Sequence, residues 1–198
     1  SALLTTALAI YLHRISGSER FAIGLPVHHR STPDSQRAIG PLMEVYPVDV
    51  SIEPDATFAS QHRSISGAIL KAVGRAVPGA GPGAADVSGI VNVIPRGGLG
   101  PFGSWPTATT WIHPGAADPH HLAGLQLTTY ASGEPELAVD LNAAAASAEH
   151  RRTAPAHLRS IIDAMVRDPD APIDGQPLVT PGEATQIDAW GRGEPLVE

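Results

Sequence analysis

Cysteine is absent from the 198 residues, which excludes disulfides, thiol nucleophiles and cysteine-ligated zinc. That absence fits a reducing, cytoplasmic setting. Clustered basic residues are missing too. The net charge is −7 and no cationic face runs along the chain, so no nucleic-acid partner is expected. No apolar run approaches the ~20 residues that a membrane span needs, so no membrane partner is expected either. The apolar stretch 2–12 lacks a basic leader, and no small-residue cleavage site follows His13-Arg14, so it reads as a helix and not as a signal peptide. No cap precedes it, and the chain reads as cut inside a helical pattern. Several catalytic signatures are also lacking. None of Ser31, Ser104 and Ser132 lies in a Gly-x-Ser-x-Gly elbow. Gly97-Gly98-Leu99-Gly100 has no Lys-Ser/Thr ending for a phosphate loop.

What is present is an ordinary soluble composition, 42% apolar and 17% charged, enough for one core. The 20 glycines and 19 prolines predict long, stiff, irregular connections. Residues 2–14 place Leu4, Leu8, Tyr11 and Leu12 on one helical face, with Gly17 as the stop. Phe21, Ile23, Leu25 and Val27 then alternate with Ala22, Gly24, Pro26 and His28, the clearest strand in the sequence. The small residues on its second face predict a close neighbour there. Pro26 belongs at an edge, bulge or strand end.

After a polar loop over 31–37, Leu42, Tyr46, Val48, Val50 and Ile52 share a second strand face that Glu44 interrupts. Pro54-Asp55 predicts a helix start with Asp55 as N-cap, and Phe58, His62, Ile65, Ile69 and Val73 form the stripe that follows. Residues 77–85 read as a linker, 87–94 as a buried strand and 107–113 as a short β-prone piece. Segments 122–130 and 136–141 flank a hairpin signal at Ser132-Gly133-Glu134. A helix over 147–167 carries Leu158, Ile161, Ile162 and Met165, and Thr180-Pro181-Gly182-Glu183 reads as a capping box opening a terminal helix. This order predicts an α/β (α+β) fold, a two-layer mixed-sheet sandwich in a single domain over 1–198.

Two histidine pairs, His28-His29 and His120-His121, are the obvious chemical candidates. Adjacent strand residues point to opposite faces, and neither pair has a helical His-x-x-x-His or a carboxylate cluster beside it. No metal site is assigned. Asp34, Asp168 and Asp170 read as solvated loop charges. Composition and spacing alone give no active site.

Two ordered motifs carry a resemblance. Phe21-Ala-Ile-Gly-Leu-Pro-Val-His-His-Arg30, followed by Ile39-Gly-Pro-Leu-Met-Glu-Val-Tyr-Pro-Val48, resembles a paired signature of nonribosomal peptide synthetase condensation domains. The helix before them is similar to the family's Leu-Leu-x-Ala-x-Ala-x-Tyr-Leu helix, and Thr57-Phe58 stands where the family has its Thr-Phe helix. Pro177 to Glu183 and Asp188-Ala-Trp190 resemble the segment that closes such domains.

The resemblance covers the chain but only the C-terminal half of the family's domain. It implies one half of a chloramphenicol-acetyltransferase-like fold. In that fold, two lobes enclose a tunnel, and donor and acceptor carrier proteins bring phosphopantetheine-bound substrates to its two mouths. Implied partners are the N-terminal condensation subdomain, both carrier proteins and an adjacent adenylation domain, within a synthetase of antibiotic or other secondary-metabolite type. No cofactor is expected beyond the carriers' 4'-phosphopantetheine arms.

The family's His-His-x-x-x-Asp-Gly motif lies in the other half. His120-His121 is followed at the relevant places by Leu125 and Gln126, and His28-His29 by Pro33 and Asp34, so no catalytic residue is assigned. Candidates for the tunnel wall are Gly24, Arg30, Gly40, Glu44 and Tyr46. Gly24 and Gly40 also suit a bulge or turn, and Glu44 an exposed strand side; Arg30 could anchor the polar loop, but a structural ion pair with a carboxylate suits its bidentate guanidinium better. Departures from the family include Arg75-Ala-Val-Pro-Gly-Ala-Gly where His-Gln-x-x-Pro-Phe-Glu is common, and Glu44 where Asn is usual. Tyr46-Pro47 also resembles epimerization domains, and a non-catalytic carrier-docking module is the third reading.

Overall fold

A computed structural model describes residues 1–79, 87–95, 102–107, 121–129 and 135–192. The first helix, α1 (Ala2–Ser16), ends where Gly17 takes φ 70° and its N–H returns to the carbonyl of His13. The sequence predicts one apolar face; instead every residue from Leu4 to Leu12 is buried. The threonines in that run are accommodated because Thr5 and Thr6 donate their hydroxyls to the carbonyls of Ser1 and Ala2. Arg14, at the end of the helix, donates to the carbonyls of Ile173 and Gln176 and holds that late segment against it.

β1 (Arg20–Val27) pairs antiparallel with β2 (Glu44–Ser51), the two joined through α2 (Pro33–Arg37). The polar sequence of this connection predicted a plain loop. It folds because Thr32 and Ser35 form a reciprocal capping box, with proline in the first turn.

α3 (Phe58–Arg75) starts later than predicted. Asp55 has φ 60° and sits in a turn, and Thr57 is the N-cap, its side chain accepting from the N–H of Ser60. The buried stripe also shifts. It comprises Phe58, Gln61, Ile65 and Ile69, while Val73 is exposed. Gln61 can be buried because its amide donates to the Ser51 carbonyl, tying α3 to the end of β2.

β3 (Gly89–Pro95), β4 (Ala123–Thr129) and β5 (Pro135–Leu141) complete a five-stranded sheet in the order β2-β1-β3-β4-β5. β1–β3 and β3–β4 are parallel, and the two outer pairs are antiparallel. The predicted β4–β5 hairpin is present, although its turn at 132–134 lies outside the described residues, as do 80–85 of the linker and 108–113 of the β-prone piece. Pro26 stands one residue from the end of β1, beyond the stretch paired with β3.

α4 (Ala148–Arg167) and α5 (Pro181–Arg192) follow, the second opening with the Thr180–Glu183 capping box read from the sequence. The register decides which sheet face meets the helices. Ile23 pairs with Val48 and Gly89, Gly89 with Ala123, and Ala123 with Leu141, so these five residues share one face. A Cβ on Gly89 would lie 3.1 Å from Leu8 and 2.8 Å from the Ala123 carbonyl, so this face lies directly under α1. α1 lies between α3 and α4 in this layer. Ile23, Phe58, Ile65, Leu125 and Leu158 are almost wholly buried there, each contributing about 1.5–3 kcal/mol of apolar transfer. The predicted two-layer, mixed-sheet α/β architecture is the one observed.

Candidate functional site at the β1–β2 end of the sheet

The five candidate residues lie on two different surfaces. Gly24 belongs to the sheet face opposite the helices, together with Ile90, Asn92, Gly124, Gln126 and Asp140. A Cβ on Gly24 would approach Val45 to 2.7 Å and both Val87 and Ile90 to 3.2 Å. The close neighbour expected for the small-residue face is therefore these three side chains. Farther along this face, Asn92, Gln126, Asp140, Asn142 and the buried His121 border a hollow of about 180 Å³. His120 lies outside the described residues.

Glu44 and Tyr46 project from the other face, at the sheet end nearest the C-terminus of α3. The Tyr46 hydroxyl lies 2.8 Å from Glu44 Oε2 and 2.7 Å from the Val77 carbonyl. One hydrogen serves two acceptors, so the hydroxyl can satisfy only one at a time. Glu44 Oε1 accepts the Gly79 N–H at 3.0 Å, so the pair secures the chain beyond α3 to β2.

His29 completes the group. Its Nε2 lies 3.1 Å from Glu44 Oε2, its ring meets Tyr46 edge-on with centroids 5.7 Å apart, and only 7% of its side chain is exposed. The nitrogen is nonetheless without an aligned hydrogen bond, so the contact with Glu44 is electrostatic by distance and poor in direction. His29 also has φ 50°, a left-handed conformation that costs about 1–2 kcal/mol for a residue with a Cβ.

The electrostatics follow from these contacts. The hydrogen bond from Tyr46 lowers the Glu44 pKa most, desolvation opposes it, and the Gly79 N–H and His29 add to the lowering. Desolvation raises the Tyr46 pKa, reinforced by its hydrogen bond to Glu44 and by that carboxylate's charge. Together these effects keep Glu44 ionised and Tyr46 neutral near neutrality.

Arg30 and Gly40 shape the connection that leads into this group. Arg30 donates to the carbonyls of Ser35, Ala38 and Gly40, at 2.7, 2.9 and 2.9 Å. The sequence favoured an ion pair for Arg30; among the described residues it is instead a loop anchor, because three carbonyls of the turn converge on its guanidinium. Gly40 has φ 139°, which a residue with a Cβ would adopt only under strain, and open space where that Cβ would point. It acts here as a turn residue.

The structure thus brings Arg30, Gly40, Glu44 and Tyr46 to one end of β1–β2 and leaves Gly24 on the opposite face. Sequence reasoning missed the part played by His29, which it weighed as half of a metal pair. Its position two residues past the end of β1, close to the start of β2, was the available signal. Among the described residues no cluster of three or more histidine and carboxylate groups could hold a metal ion, and no helix is long and apolar enough to cross a membrane.

Comparison with known proteins places these features in a wider frame. The family model for the condensation domain matches residues 1–78. The starter condensation domain of rhizomide synthetase RzmA has a similar structure, with 22% identity and a TM-score of 0.69 over 90% of this chain and 45% of that one. The first condensation domain of the calcium-dependent antibiotic synthetase, in complex with a substrate analogue, gives 18% identity and a TM-score of 0.64 over 90% and 41%. The complex of the X-domain and OxyB from teicoplanin biosynthesis gives 19% identity and 0.69 over 90% and 42%. No curated protein matches the sequence. The chain spans less than half the length of these solved structures. Residues 1–78 thus carry the condensation-domain pattern, and the fold of the chain is the one those structures share.

Proposed function

We propose that this chain is the C-terminal lobe of a nonribosomal peptide synthetase condensation domain and that it supplies one wall of the substrate tunnel and the acceptor-side surface. The observation that carries the reading is a conjunction. The family pattern matches over 1–78, the fold matches over 90% of the chain and 45% of a condensation domain, and the His-His-x-x-x-Asp-Gly motif is not in the sequence.

In the reaction, the acceptor's amine nitrogen attacks the carbonyl carbon of the donor thioester. A C–N bond forms, the C–S bond breaks, and the proton lost by the amine ends on the released pantetheine thiol. The companion lobe contributes the imidazole that manages that proton. The sheet face turned away from α1, α3 and α4 carries Gly124, where only Asp140 stands near the missing side chain, and this suits the wall of a narrow passage. The Arg30–Gly40 turn and the Glu44–Tyr46–His29 group hold the rim at the β1–β2 end. Partners on this reading are the N-terminal lobe, donor and acceptor carrier proteins with their phosphopantetheine arms, and a neighbouring adenylation domain, in a cytoplasmic synthetase.

The test is to mix this chain with a donor acyl carrier protein and an acceptor aminoacyl carrier protein and follow carrier-bound amide by mass spectrometry. No amide is expected from the chain alone, and robust amide formation refutes the assignment of the reactive imidazole to the other lobe. Recovery of the acceptor aminoacyl group with inverted α-carbon would favour an epimerization half. Carrier binding that stays unproductive with the upstream lobe restored would favour a docking module.

A further inference from the structure

We infer that α5 is a hinged arm held to the body of the protein by one latch, the Glu183 carboxylate seated against the His157 imidazole. None of the α5 residues is buried, and Ile187 and Trp190 are 50% and 71% exposed. Among the described residues, the hydrogen bonds that join α5 to another helix are those between Glu183 and His157, at 2.8 and 3.0 Å. With none of its own side chains buried, α5 depends chiefly on this contact for its docking.

The socket is built into the body. His157 stands on the buried face of α4 with Ala154, Leu158 and Ile161, and its side chain is only 9% exposed. An imidazole on such a face needs a hydrogen-bond partner, and α4 offers it none, since Nδ1 is buried and unpaired. With the proton on Nε2, Nδ1 is a bare acceptor and Nε2–H donates to Glu183, which leaves no unpaired donor. Tyr11 of α1 lies against the ring with centroids 6.4 Å apart, and its own hydroxyl is fixed at 2.7 Å from His150 Nε2.

The pivot is equally well defined. Arg14 clamps Ile173 and Gln176, and Leu178 packs on the core, so the chain is anchored up to that point. Val179 is exposed, and Thr180 begins the helix cap. Glu183 also accepts the Thr180 N–H at 2.7 Å, so one carboxylate both caps α5 and docks it.

The absence of cysteine makes the test clean. Spin labels at Val166→Cys on α4, 69% exposed, and Gly191→Cys on α5, where a Cβ meets nothing within 4 Å, report the α4–α5 distance by pulsed EPR. The parent should give one narrow distribution. His157→Leu and Glu183→Gln should each broaden it, lowering the docked-to-released ratio about tenfold or more, the order set by a lost charge-assisted hydrogen bond. Thr180→Ala weakens the cap but leaves the latch, and should keep the docked distance. A narrow, unchanged distribution in Glu183→Gln overturns the inference, and because Glu183 is partly exposed and keeps its shape in this variant, the test stands even if His157→Leu folds poorly.

Discussion

Two glycines separate packing from propensity at the level of single residues. A methyl group on Gly89 would press on the Ala123 carbonyl, which cannot retreat without moving a strand, and on the buried Leu8 side chain of α1. Gly89→Ala should therefore destabilise the fold by about 1–3 kcal/mol. Gly67 lies inside α3 with open space around its missing Cβ, so Gly67→Ala should stabilise by about 0.5–1 kcal/mol. Urea denaturation of both variants checks the opposite signs. Tyr46 offers a second test. Its hydroxyl is the largest influence holding the Glu44 pKa down, so Tyr46→Phe should raise that pKa, and a carboxyl NMR titration would report it. An unmoved or lowered titration would mean that the hydroxyl hydrogen rests with the Val77 carbonyl instead.

Elements show how far the sequence could be read. β1 and the β4–β5 hairpin were legible because alternating apolar residues and turn chemistry agree, and Thr180–Glu183 was legible because a capping box is local. The N-cap of α3 was misplaced since Asp55 and Thr57 are both good caps, and only the left-handed turn at Asp55 decides between them. Gln61 and His157 were invisible as buried residues because their burial depends on partners distant in sequence, Ser51 and Glu183. α1 looked amphipathic for a different, local reason, since threonines bonded to carbonyls of their own helix complete its buried surface.

The junction of α4 and α5 carries a pH dependence. The Thr180 N–H first, and His157 second, depress the Glu183 pKa from 4.5 to about 2, with Tyr11 and His150 the other titratable groups at the junction. A depressed carboxyl stabilises the folded state fully above its unfolded value and loses that contribution as pH falls toward the folded one. The part of the stability gap between the parent and Glu183→Gln that comes from this depressed carboxyl should therefore close as pH falls from 4.5 to 2. Paired denaturant titrations across that range measure it, and a gap that stays fully open down to pH 2 would contradict the geometry.

Viewed whole, the molecule has one sheet face committed to α1, α3 and α4 and another that carries Gly24, Ile90, Asn92 and Gln126. The sequence made the architecture legible through its order of elements, and the condensation-domain pattern of residues 1–78 through two adjacent motifs. It gave no active site, and the structure explains that outcome in part. Four of the five candidates converge on one end of β1–β2, where carboxylate, hydroxyl and imidazole are turned inward on one another. The two-lobed account predicts that the chemistry resides in the union of this chain with a companion. The most direct measurement is reconstitution: loaded donor and acceptor carrier proteins are incubated with this chain, with an upstream lobe carrying the histidine motif, or with both. The account predicts carrier-bound amide only when both lobes are present, and equal product from the upstream lobe alone would contradict it.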